Sequence, residues 1–124
     1  MDKSAALYSF WAGFDLLAVD EQAMYDTTFD PPDKYISYEA ATDSFDSPVA
    51  IGADLWYRSM SWAEISQKAE EISEHIGMGG VFVPYDGGAI WITRGSPFSQ
   101  RMSAESSNDT RRVHININAE YLSA

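Results

Sequence analysis

The strongest pattern along the chain is helical. Trp62, Ile65, Ala69, Ile72 and Ile76 recur at spacings of three and four, which gathers them on one face of a helix over residues 62–76. Glu64, Lys68, Glu70, Glu71 and Glu74 fall on its other face. Ser61 followed by Glu64 reads as a capping box, with Met60 and Ile65 as its hydrophobic staple. Gly77 stands where a left-handed cap would end the helix. A first helix is expected over residues 4–14, capped by Ser4 and loosened at Gly13, with Leu7, Phe10, Trp11 and Phe14 at helical spacing.

Elsewhere the period is two. Val49, Ile51, Ala53, Leu55 and Tyr57 alternate with Ala50, Gly52, Asp54, Trp56 and Arg58, the mark of a strand with one face on the core. Residues 35–42 form the preceding strand, and a turn at 43–48 makes the two an antiparallel hairpin. Two apolar runs, 81–85 and 89–94, flank Asp86-Gly87-Gly88 as a second hairpin. Val113, Ile115, Ile117, Ala119 and Tyr121 alternate with His114, Asn116, Asn118 and Glu120, a last strand whose polar face looks at solvent or a partner. Residues 16–19 suit a short strand. Residues 20–34, with Pro31-Pro32, and residues 95–111 read as loops.

The order is helix, two strands, helix, three strands. It predicts one α+β domain over residues 1–124: an antiparallel or mixed sheet with two helices packed on one face, and an extended loop at about 95–111. At 124 residues the chain can bury a real core, and its 45% hydrophobic and 14% aromatic content is that of a globular protein. There is no cysteine, so disulfide, thiolate and Cys-ligated metal chemistry are excluded. No run of about 18 apolar residues spans a membrane. Met1-Asp2-Lys3-Ser4 lacks the basic start of a signal peptide, so a soluble protein used inside a cell is expected.

Eight Lys+Arg stand against nineteen Asp+Glu, a net charge of -11. That argues against wrapping nucleic acid or lying on an anionic membrane, since both need clustered cations. It fits solubility, or a surface that sits near DNA without holding it.

Catalytic patterns are missing. His75 suits the C-terminal end of its helix, and His114 the polar side of the last strand; neither belongs to a metal-binding spacing. Asp43 and Asp46 read as turn residues, and they are too sparse for a calcium loop. Gly77, Gly79 and Gly80 follow a helix instead of leading into one, so they do not form a phosphate loop. No serine lies in a nucleophile elbow. No catalytic residue, cofactor or metal is expected.

Protein contact is the better expectation. Of the eight basic residues, Arg94, Arg101, Arg111 and Arg112 gather at the 95–111 loop and its edges, with Phe98 and Met102 between them. Arg, Phe and Met are enriched at buried interface centres. A loop this long is either functional or mobile. Phe29, beside Pro31 and Pro32, offers a weaker second candidate.

Three stretches carry a family resemblance. They are Leu55-Trp56-Tyr57-Arg58-Ser59-Met60-Ser61-Trp62-Ala63-Glu64; Tyr85-Asp86-Gly87-Gly88-Ala89-Ile90-Trp91 running on to Arg94-Gly95-Ser96-Pro97-Phe98-Ser99-Gln100-Arg101-Met102; and Arg111-Arg112-Val113-His114-Ile115-Asn116-Ile117. Together they resemble the tail-terminator, or tail-completion, proteins of long-tailed bacteriophages of Gram-positive hosts. The resemblance implies a hexameric ring of α+β subunits in the virion neck, assembled in the host cytoplasm. It implies contact with the tail tube protein below and the head–tail connector or stopper above. DNA would pass through the lumen without specific binding. It also implies that residues 95–111 touch the tail tube, and that acidic side chains line the lumen. Two alternatives stay open: a connector or stopper subunit, and an acidic monomeric inhibitor that mimics DNA.

Overall fold

The computed structural model describes residues 1–26, 28–41, 47–103 and 109–123. Helix α1 (Lys3–Ala12) leads to strand β1 (Leu17–Asp20) and a 3-10 turn at Glu21–Tyr25. Then come β2 (Lys34–Tyr38), β3 (Val49–Arg58), helix α2 (Ala63–Ile76), β4 (Val81–Tyr85), β5 (Gly88–Met102) and β6 (Thr110–Ser123). The six strands form one sheet in the order β1-β2-β3-β6-β5-β4. β1 and β2 run parallel, and every other pair is antiparallel.

This corrects the expected layout of two helices packed on one face. The sheet dominates: about 47% of the described residues are strand and 26% helix, and the sheet curls into a half-barrel. The long strands β3, β5 and β6 supply the reason, since strand twist accumulates over their length and bends the sheet. α1 touches β4 and β1, the two opposite edges, so it closes the open side of the curl. α2 lies in the hollow against β3, β5 and β6.

Alternation fixes which face is inside. Ile51, Ala53, Leu55 and Tyr57 of β3 join Val113, Ile115, Ile117, Ala119 and Tyr121 of β6, Ile90 and Ile92 of β5, and Ile36 and Tyr38 of β2. α2 adds Ile65, Ala69, Ile72 and Ile76, and α1 adds Ala6, Leu7, Phe10 and Trp11. Phe14 and Phe10 meet edge to face, and both contact His75 near the end of α2.

Several local expectations change. The cap of α1 is Asp2, whose carboxylate accepts from Ala5 N at 2.8 Å, instead of Ser4. The capping box of α2 does not form. Ser61 Oγ accepts from Ala63 N, while Lys34 draws the Glu64 carboxylate away at 2.6 Å. Met60 is 72% exposed, so it staples nothing. The 95–111 loop is largely strand: β5 continues to Met102, and β6 begins at Thr110. Residues 43–46 of the turn predicted at 43–48, and residues 104–108, lie outside the described residues.

Tyr57 is buried beneath α2, and burial first, with Glu64 and Glu71 adding to it, pushes its phenol from 10.0 up to about 12. Burial raises Tyr35 and Tyr38 in the same direction. The folded chain therefore holds these protons more tightly than the unfolded chain does. Stability is full while unfolded tyrosine is neutral, below about pH 10, and is lost as pH climbs toward the folded value. Urea midpoints measured from pH 8 upward should stay level and then fall above about pH 10, and Tyr57→Phe should flatten part of that fall. An equal alkaline decline in the variant would refute this.

Candidate functional site

The site lies at the end of the sheet where β3 finishes, β5 finishes and β6 begins. Register brings Arg58 opposite Thr110, Val113 opposite Arg101 and Arg112 opposite Met102. Residues more than forty positions apart thus share one rim. Alternation then splits them between the two faces of the sheet.

On the inner face, Trp62 caps the start of α2, and the guanidinium groups of Arg101 and Arg111 lie 4.7 Å and 5.5 Å from its ring centre. Arg111 Nη2 also donates to the Met60 carbonyl at 2.9 Å, which ties β6 to the turn before α2. On the outer face, Arg112 covers Trp56 at 4.9 Å, and Trp56 stacks on Tyr35. Planar guanidinium over an indole face is a favourable contact, and both types favour interface centres. Met102 is 38% exposed at the same rim.

The expected contact residues therefore part company. Arg101, Met102 and Arg111 come together at the rim. Arg94 is drawn to Ser73 Oγ on α2 at 3.1 Å, further along the sheet. Phe98 is half-buried against the core and floors a groove of about 380 Å³ between β5 and α2, with Glu70 and Arg101 on its walls. Phe29 is on the outer side, edge-on to Tyr35. A continuous mobile loop carrying all of them is not what forms.

A bulge explains the path of β5. Arg94 pairs with Ile117 and Ser99 with Ile115, so residues 95–98 stand opposite Asn116 alone. Asn116 Nδ2 donates to the Pro97 carbonyl at 2.9 Å and holds the bulge down. Gly95 is required there, because a Cβ would lie 2.8 Å from the Asn116 carbonyl oxygen.

Sequence reasoning missed the polar network behind this bulge. Asp54, 8% exposed on the outer face of β3, accepts from Arg112 Nε at 3.0 Å and faces His114 Nδ1 at 3.0 Å. His114 Nε2 faces Asn116 Oδ1 at 3.1 Å. Gly52 leaves room for the imidazole, whose ring would meet a Cβ at 2.7 Å. The available signal was an acid and a glycine on the outward positions of β3, matched by Arg, His and Asn on the outward positions of β6. The Asp54–His114 pair has an amide oxygen at its second nitrogen, not a hydroxyl to activate, so its geometry is that of a brace. Among the described residues no group of three or more His, Cys, Asp or Glu is placed to hold a metal ion. Among them no helix is long and apolar enough to cross a membrane.

No protein-family model matches the chain, and no curated protein is similar to it. One solved structure is similar in fold, with a TM-score of 0.60 and 16% identity, covering 98% of this chain and 91% of that one. At that identity the likeness speaks to the fold alone.

Proposed function

We propose that this chain is a structural subunit of a long-tailed bacteriophage, one that forms a ring capping the head-proximal end of the tail tube. In this reading the ring meets the tube protein on one side and the head connector on the other, and the genome passes through it. The subunit has no catalytic role. The observation that carries the reading is convergence. Parts of all three sequence stretches that resemble tail terminators meet at one end of the sheet, on Trp62 or on the face behind it: Arg58 and Met60 from the first, Arg101 and Met102 from the second, Arg111 and Arg112 from the third. Stretches that resemble an assembly protein thus build one rim of Trp, Arg and Met, the composition of a protein contact.

The net charge of -11 supports the same reading. A channel lined by carboxylates repels phosphates and lets DNA slide, whereas exposed cations would retain it.

Purified protein mixed with growing tail tubes provides the test. Electron microscopy should show rings at one end of each tube, tube length should stop increasing, and capped tubes should join filled heads. Tubes that elongate and join heads equally well without the protein would refute the proposal. A chain that ignores tubes and instead competes with DNA for a DNA-binding enzyme would identify the acidic inhibitor.

A further inference from the structure

We propose that the Arg101–Met102 tip of one copy inserts into a groove at the opposite end of the sheet on a second copy, where Trp91 and Glu120 receive it. The proposal rests on the ring reading and assigns the rim to a neighbouring subunit.

Three observations carry it. First, Arg101 is an exposed cation on a strongly acidic chain, and no carboxylate pairs with it among the described residues; its guanidinium only overlies Trp62. Arg112 is paired with Asp54, Arg58 with Asp33 and Lys34 with Glu64, so Arg101 differs from these three cations. Second, the far end of the outer face holds a groove of about 360 Å³ lined by Pro48, Trp91, Thr93, Asn118 and Glu120. Register places Trp91 directly opposite Glu120. The Glu120 carboxylate has no ion-pair partner among the described residues. An indole face beside an unpaired carboxylate is a receptor for a guanidinium: the ring takes its flat side and the carboxylate its edge. Third, the surroundings are apolar on both sides. Met102, within the tip, is 38% exposed, and Phe82, 62% exposed, stacks on Trp91 at the groove.

The two surfaces differ and lie at opposite ends of β6. A contact between them is heterologous, so each copy that accepts a tip still offers one. Such contacts close into rings or continue as filaments. A phosphate-bearing partner is disfavoured, since Glu120 would repel it in the groove.

Sedimentation of the full-length chain over a concentration series, at low and high salt, tests the contact. Wild type should self-associate, more weakly at high salt. Arg101→Glu and Glu120→Arg place like charges face to face, and each should weaken association at least about tenfold. Both positions are on the surface, so thermal midpoints should stay near wild type. The double variant R101E/E120R restores opposite charges and should recover association over either single variant. A wild-type chain that stays monomeric at the highest attainable concentration would overturn the contact, as would association unmoved by either single change. Tube capping separates the two proposals. A chain that associates through these residues yet ignores tubes refutes the ring cap alone. One that caps tubes while indifferent to R101E and E120R refutes this contact alone.

Discussion

Trp11→Ala should cost the fold about 4 kcal/mol, as full truncation of a buried aromatic does. Trp11 is fully buried where α1 closes the sheet, packed edge to face on Phe10. Its loss empties the junction between the helix and the two sheet edges it spans. A domain of this size has about 5–15 kcal/mol in total, so the variant should populate unfolded chains near physiological temperature. The contrast is Trp11→Phe. The indole Nε1 is buried and has no acceptor among the described residues, so removing it loses no hydrogen bond. Phenylalanine keeps most of the apolar contact and removes an unsatisfied donor, which offsets part of the lost volume. The expected cost is about 1 kcal/mol. Denaturant titration of the two variants decides: similar losses would show that the indole nitrogen is satisfied after all, or that the junction collapses around the gap.

Asp54→Ala should be the second most damaging change, at about 2–3 kcal/mol. Removing one partner of a buried ion pair costs about 3–5 kcal/mol when the survivor is fully buried. Arg112 and His114 keep 28% and 23% side-chain exposure, so water recovers some of that loss. The damage should also travel. His114 loses its carboxylate, and Asn116 beyond it is what holds the Pro97 carbonyl. Amide exchange should therefore quicken at Gly95, Ser96 and Phe98 before it does in α2. Loss of stability with no local quickening would show that Asp54 acts by packing alone and does not brace the bulge.

Individual elements were legible in the chain, although their layout was not. The alternation from Val49 to Tyr57 and from Val113 to Tyr121 is realised as β3 and β6, paired side by side. The apolar spacing from Ile65 to Ile76 is realised as α2, and Asp86-Gly87 turns the β4–β5 hairpin with Gly87 at φ 94. The extension of β5 to Met102 was not legible, for a physical reason. Gly95, Ser96, Pro97 and Ser99 are poor strand residues; β6 across the sheet holds the bulge through Asn116 and resumes pairing at Ser99, a signal absent from their sequence neighbours. The capping box failed similarly: Glu64 had a local partner in Ser61, but a lysine thirty residues away competed for it. The contact residues were named as types, yet grouping them needed the register. Phe98 was drawn to the core, and Trp62, read from spacing as a core position, became the plate on which two arginines rest.

The position of α1 has a kinetic consequence. The helix closes the half-barrel by touching β1, a few residues downstream, and β4, about seventy residues further on. Asp86 N donates to the Met1 carbonyl at 2.7 Å, so even the first residue waits for the second hairpin. As the chain leaves the ribosome, α1 has only half its seat until β4 has emerged. Its apolar stripe must stay in solution, or on a chaperone, until then. Closure joins segments about seventy residues apart, and such long-range contacts slow folding.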